Sequence, residues 1–261
     1  MYYNRYIDTM EIAKERVRKW KEGPLDLSGL GLTKLPELPE GLQVLYCYDN
    51  QLTTLPETLP VGLRILSCNN NQLTTLPKTL PVGLTALYCY CNQLTSLPEI
   101  LPVDLQTLYY YKNHLTRLPE TLPVGLRELD CSENRLRTLP DTLPANLRYL
   151  WCFKNQLSRL PDTLPVALKE LHCSSNQLTT LPDTLPMGLQ LFYSSNNHLP
   201  DRPHGESIAD YVARVNVFAK AASKERIVGR CRIIFEELAK TVWHPSRVER
   251  LMLEGVDMED M

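Results

Sequence analysis

The sequence predicts a repeat solenoid. A parallel β-sheet forms its concave face, the convex face is extended and polyproline-like, and helices cap both ends. Three observations carry this. A 21-residue pattern, L-x-x-L-x-C-x-x-N-x-L-x-x-L-P-x-x-L-P-x-G, runs from Leu42 to Leu199. Its asparagines, Asn50, Asn71, Asn92, Asn113, Asn134, Asn155, Asn176 and Asn197, keep that spacing without a slip. Paired prolines, as at Pro56 and Pro60, forbid a helix on the return path. A fixed period of this length means stacked units, each too small to bury its own apolar face.

Residues 1–23 form an N-terminal cap. Ile7, Met10, Ala13, Val17 and Trp20 recur at helical spacing within residues 2–22, and Gly23-Pro24 stops the helix. A first repeat has no neighbour on its outer side, so this helix is expected to cover it. The solenoid occupies residues 24–199. It opens on an irregular repeat in which Leu25, Leu27, Leu32 and Leu35 keep the frame while Leu30 stands in the Asn position. With that repeat, nine strands are expected, centred near residues 26, 46, 67, 88, 109, 130, 151, 172 and 193.

Chemistry assigns the positions within a repeat. The leucines point inward, together with Cys47, Cys68, Cys89, Cys131, Cys152 and Cys173. These thiols act as small core hydrophobes. Each Asn follows the strand and is expected to bond the backbone of its own turn and of the next. The last position reads Gly41, Gly62, Gly83, Asp104, Gly125, Asn146, Ala167 and Gly188. Residues tolerant of positive φ dominate it, which predicts a left-handed residue before each strand, with Ala167 either strained or in a different turn.

Residues 200–261 form a helical cap or a small docking module. Ile208, Tyr211, Val212, Val215 and Phe218 outline one amphipathic helix, and Ile227, Cys231, Ile234, Phe235, Leu238 and Val242 a second. Pro245 opens a short third helix and Gly255 closes it.

Composition narrows the function. A net charge of -2 gives no general drive toward nucleic acid or an anionic membrane. Arg64, Arg127, Arg148 and Lys169 share a column, but acidic residues interrupt that face, so nucleic-acid binding is not expected. No apolar run approaches the ~20 residues of a membrane span, and the N-terminus lacks the apolar segment of a secretory signal. A cytoplasmic protein is expected. The cysteines form no C-x-x-C pair and the histidines no cluster, so no metal or other cofactor is expected. Cys91 and His172 could be imagined as a nucleophile and a base. Neither has a third group to orient it, so the reading is not enzymatic.

This repeat resembles the short, proline-rich leucine-rich repeats of bacterial effectors, the Yersinia outer protein M type and the IpaH-type ubiquitin ligases. Leu25-Asp26-Leu27-Ser28-Gly29-Leu30-Gly31-Leu32-Thr33, behind a helix, is similar to theirs as well. The likeness covers roughly residues 10–200 and implies a leucine-rich repeat solenoid. It stops there. Cys231-Arg232-Ile233 does not match the ligases' Cys-x-Asp motif, and about sixty residues cannot hold their catalytic domain, so ligase activity is not implied. Trp243-His244-Pro245-Ser246-Arg247-Val248, followed by Gly255-Val256-Asp257, resembles the tails of giant-virus proteins.

Two columns on the concave face are rich in aromatics. One reads Tyr46, Ser67, Tyr88, Tyr109, Asp130, Trp151, His172, Tyr193, and the other Tyr48, Asn69, Tyr90, Tyr111, Ser132, Phe153, Ser174, Ser195. Tyr and Trp are favoured at binding hot spots. Cross-strand stacking would place them there as well. Glu128, Asp130 and Glu133 set an acidic step between two aromatic blocks, where a basic group would fit. The expected function is a protein-interaction module, with a viral or pathogen effector in a host cell as the leading case. The alternative is a structural or assembly protein that binds itself or other viral proteins. A monomer or weak homo-oligomer is expected.

Overall fold

A computed structural model of the chain describes residues 8–203 and 205–242. The chain divides into two compact units, with the boundary after Ala213. In the first, helix α1 (Thr9–Lys19) leads into nine short strands. They are β1 (Pro24–Asp26), β2 (Val44–Tyr46), β3 (Ile65–Ser67), β4 (Ala86–Tyr88), β5 (Thr107–Tyr109), β6 (Glu128–Asp130), β7 (Tyr149–Trp151), β8 (Glu170–His172) and β9 (Leu191–Tyr193). All pair in parallel and in sequence order. The register keeps like with like, as in Leu45↔Leu66 and Leu66↔Leu87. Each strand centres on its inward leucine or equivalent, one residue before the expected centre. Among the described residues no helix interrupts the chain between α1 and α2 (Ile208–Val242), as the prolines require.

The core is a leucine and cysteine column. Leu42, Leu45, Cys47 and Leu52 are fully buried, and so are their equivalents through Leu168, Leu171, Cys173 and Leu178. The six ladder thiols are unpaired. Burial pushes Cys68, Cys131 and Cys173 up to about 12, so almost no reactive thiolate exists at neutral pH. In native protein treated with iodoacetamide, exposed Cys231 should react first and half-buried Cys91 more slowly. The ladder thiols should react only as the array unfolds. Prompt modification of all six would overturn the inward assignment. Two positions break the column: Tyr110 stands where the pattern has Cys and is fully buried, and Ser194 holds the same place in the last repeat and is half-buried. The Tyr110 hydroxyl has no well-aligned hydrogen-bond partner, and the Cys131 thiol is its polar neighbour.

The asparagines stitch successive turns. Asn71 Oδ1 accepts from the Leu52 amide at 2.9 Å, and its Nδ2 donates to the carbonyls of Cys47 (3.0 Å) and Cys68 (3.1 Å). The same set recurs down to Asn197. Leu30, in the Asn position of the irregular repeat, is served from the next turn, because Asn50 Oδ1 accepts from both the Leu30 and Leu32 amides.

The left-handed residue is not where the sequence placed it. Of the last-position residues only Gly41 has positive φ. Asp49, Asn70, Cys91, Lys112, Glu133, Lys154, Ser175 and Asn196, each just before a ladder Asn, hold φ of 51–56°. The last position instead lies inside a turn such as Pro60–Leu63, closed by the Leu63 amide donating to the Pro60 carbonyl at 3.0 Å. A type I turn needs negative φ at both central residues, so any residue suffices and Ala167 is unstrained. The strain sits at Cys91, Lys112, Glu133 and Lys154, whose side chains gain nothing locally from αL. Lys112→Asn is therefore expected to raise stability by ~0.5–1 kcal/mol, read as a higher urea midpoint. A lower midpoint would contradict the strain account.

Helix α1 packs against β1 at the start of the array. Asp8 accepts from the Met10 amide at 3.0 Å as N-cap. Ala13 is fully buried, Met10, Val17 and Trp20 are half-buried, and Arg16 Nη1 donates to the Asp26 carbonyl at 2.8 Å. Ile7 and the rest of residues 1–7 lie outside the described residues. At the far end Tyr211 donates to the Pro200 carbonyl at 3.0 Å and packs its ring on Phe192. Ser207 caps α2 there: its Oγ accepts from the Asp210 amide at 3.1 Å and donates to Asp210 Oδ2 at 2.6 Å.

The two C-terminal helices expected from periodicity are one. Helix α2 runs unbroken from Ile208 to Val242. The segment between the two apolar stretches, Ala221-Ala222-Ser223-Lys224-Glu225-Arg226, carries helix formers and no proline. Beyond Ala213, Val217, Phe218, Ile227, Val228, Ile233 and Ile234 are exposed. The predicted third helix after Pro245 lies outside the described residues.

Candidate interaction face

Parallel pairing in strict register places equivalent residues side by side on adjacent strands, ~4.8 Å apart. A ring at one position therefore meets the ring of the next repeat. Tyr90 and Tyr111 stack at 4.3 Å with planes 8° apart, and Tyr88 and Tyr109 meet edge to face at 5.4 Å. Phe153 stacks on His172 at 4.5 Å, and His172 touches Tyr193 at 5.0 Å. Tyr109 and Trp151 meet edge to face at 5.9 Å across the smaller Asp130.

Eight of the sequence-selected residues come together. Tyr88, Tyr90, Tyr109, Tyr111, Asp130, Trp151, Phe153 and His172 line one open hollow of about 490 Å³. Tyr46 and Tyr48 stand apart as their own pair at 6.3 Å. Exposed Tyr193 closes the row at the other end. The two columns are not uniformly open. Ser67, Asn69, Ser132 and Ser174 are buried, because short side chains between large rings are overgrown by them. Ser67 Oγ donates to Asn69 Oδ1 at 2.7 Å.

A third column, before the inward leucine, also contributes. Trp151 Nε1 donates to Glu170 Oε1 at 2.8 Å, Tyr149 stacks on Trp151 at 5.7 Å, and the Tyr109 hydroxyl donates to Glu128. Tyr149 and Glu170 escaped the sequence reading. Strand alternation could have found them, since residues on both sides of an inward leucine face outward.

Electrostatics follow burial. Desolvation raises Tyr88, Tyr90 and Tyr109, the last helped by its bond to Glu128, and pushes Tyr111 up to about 12. All stay neutral phenols at neutral pH. Burial lowers His172 against the pull of Glu170, so its imidazole is neutral. Burial raises Cys91 too, with Lys112 opposing, which leaves a sluggish thiol rather than an activated nucleophile. Asp130 is raised by burial, against hydrogen bonding from Ser132. A carboxyl with raised folded pKa favours the native state in its protonated form. Its ionisation therefore costs stability as pH rises through the carboxylate range. Among the described residues no three His, Cys, Asp or Glu side chains are placed to hold a metal ion. No helix there is long and apolar enough to cross a membrane.

A larger hollow, about 870 Å³, lies on the back along the Leu-Pro path of two repeats, between Leu76, Leu80, Leu97 and Leu101. A similar one of about 580 Å³ recurs a repeat earlier. These use consensus residues and follow from the coil itself. The sheet-face hollow depends on side chains that vary from repeat to repeat.

No family model and no curated protein matches the sequence. Solved structures do. The leucine-rich effector protein YopM from Yersinia pestis is 35% identical over 72% of this chain, with a TM-score of 0.67. The chain spans about half of that protein, 54% of its length. A Shigella effector leucine-rich repeat domain is 33% identical, with 64% of this chain and 76% of that one covered and a TM-score of 0.57. A chain of the Drosophila Toll–Spätzle complex is 25% identical over 73% of this chain and 28% of its own, with a TM-score of 0.56. With its register, its Asn ladder and its likeness to two bacterial effector domains, the chain belongs to the leucine-rich repeat family, in the short, proline-rich form.

Proposed function

We propose that this chain is a non-enzymatic protein-interaction module whose partner docks on the aromatic sheet face. The observation that carries it is the contiguous set of rings around the hollow, from Tyr88 to His172. Monomeric proteins seldom leave such a patch without use. The Toll–Spätzle complex, which shares the fold, joins two proteins. The likeness to YopM and to the Shigella domain supports an effector, of pathogen or viral origin, acting in the host-cell cytoplasm. The role proposed for residues 200–261 is a cap or a small docking module. The test is capture of a partner from host-cell lysate by wild type and by Tyr88→Ala combined with Tyr109→Ala. Equal capture by both would sink the reading.

A second reading, self-assembly, draws on another column. Val61, Val82, Val103, Val124, Val166 and Met187, one per repeat, are all exposed. Light scattering decides it: a monomer at working concentration removes self-assembly.

A further inference from the structure

The hollow is built around a missing ring. The repeats of β5 and β7 carry aromatics in both columns, Tyr109 with Tyr111 and Trp151 with Phe153. The repeat of β6 between them carries Asp130 and Ser132. Tyr111 and Phe153 thus flank a position that no ring fills, with buried Ser132 as its floor. Backbones two strands apart are separated by ~9.6 Å, so a group midway lies within the ~6 Å reach of both ring faces for a cation–π contact.

The carboxylates around this notch differ in their partners. Glu133 pairs with Lys154 at 3.5 Å. Glu170 accepts from the Trp151 indole and Glu128 from the Tyr109 hydroxyl. Asp130 Oδ1 accepts from the Ser132 amide at 3.0 Å. Among the described residues no Lys, Arg or His forms an ion pair with Asp130, Glu128 or Glu170. Asp130 alone of the three lines the hollow. A half-buried carboxylate without a counter-ion, walled by π-faces, is complementary to one kind of group: a planar cation that stacks and pairs at once. The guanidinium has that shape, while an ammonium is a compact, strongly hydrated point charge.

Resting on the reading that the partner docks on this face, we propose that the notch at β6 receives an arginine side chain of the partner, paired with Asp130 and stacked against Tyr111 and Phe153. Arginine is the partner's anchor, and the rest of the face supplies the surrounding contact.

The test uses the full chain and a Gly-Ser pentapeptide with a central Arg, beside its Lys and citrulline analogues. The Trp151 indole N–H resonance reports binding by NMR, with Trp20 as the remote control. The Arg peptide should shift Trp151 saturably. Citrulline keeps the shape without the charge and should bind about tenfold more weakly or worse, because charge-assisted pairing is lost. Lys should fall between. Asp130→Asn should lose about tenfold or more for Arg and yet unfold at a higher temperature than wild type, which separates lost binding from lost fold. Equal binding of Arg and citrulline peptides, or an unchanged Asp130→Asn, would overturn the slot. If the peptides fail while Tyr88→Ala with Tyr109→Ala still abolishes partner capture, the face stands and the slot falls. If capture survives that double substitution, the docking reading itself is wrong.

Discussion

Asn113→Ala is expected to lower stability by about 3–5 kcal/mol, from one donor and two acceptors orphaned at ~1–3 kcal/mol each. Its Oδ1 accepts from the Leu94 amide at 2.9 Å. Its Nδ2 donates to the carbonyls of Cys89 (3.1 Å) and Tyr110 (2.8 Å). The side chain is 4% exposed, so water reaches none of these groups in the folded array. Alanine fills no hydrogen bond and leaves a cavity as well. The rung is central, so both flanking interfaces lose part of their coupling, and the array is a chain of nearest-neighbour terms. The comparison is Asn197→Ala at the last rung. Asn197 makes the same bonds but is only half-buried, so water replaces the lost amide and the cost falls. Urea unfolding of both variants measures the difference. A loss below ~1 kcal/mol at Asn113 would mean that the ladder is incidental to stability.

The period made most of this fold legible before any coordinates. A repeat with Leu, Cys and Asn at fixed places has one packing solution, in which like side chains stack on like. Hence the strand count, the buried thiols and the Asn bonding were readable. What was not readable depends on backbone torsion or on exceptions. Glycine at the last position invited a left-handed assignment, but a type I turn tolerates it equally. The true αL position hid behind a mixture of Asp, Asn, Cys, Lys, Glu and Ser, because the backbone path imposes the conformation and the side chain only tolerates it. Tyr110 is not legible as a core residue because a phenol in a thiol's place breaks the repeat pattern. The array accepts it in full, with only the Cys131 thiol beside its hydroxyl, and the packing gives no reason for a phenol there. The aromatic columns were visible, but their partition into a hollow was not. It arises from the small residues Asp130 and Ser132, and small residues between rings read in a sequence as interruptions rather than as the cavity they leave.

Tyr88→Ala combined with Tyr109→Ala is expected to weaken partner binding by roughly 3–4 kcal/mol, since each hot-spot truncation costs ~2 kcal/mol or more and adjacent ones are not fully additive. That is about a hundredfold to a thousandfold in Kd. Stability should fall too. The two rings meet edge to face at 5.4 Å, worth ~0.5–1.5 kcal/mol beyond area. Tyr109 also donates to Glu128, a bond to a charged acceptor worth ~1.5–3 kcal/mol when buried and less here, where both groups are half-exposed. Tyr109→Phe removes only that hydroxyl. It should retain most of the binding while losing the Glu128 bond, which isolates the ring's part. Thr58→Ala with Thr79→Ala, exposed on the back of the coil, is the control and should change neither quantity. Binding and thermal unfolding must be read on the same samples. If affinity holds while the melting temperature drops sharply, the rings are a packing device for a sheet of short strands. If affinity collapses with a drop in stability no larger than the edge-to-face contacts of Tyr109 with Tyr88 and Trp151 and the Glu128 bond explain, the rings are the surface the partner meets.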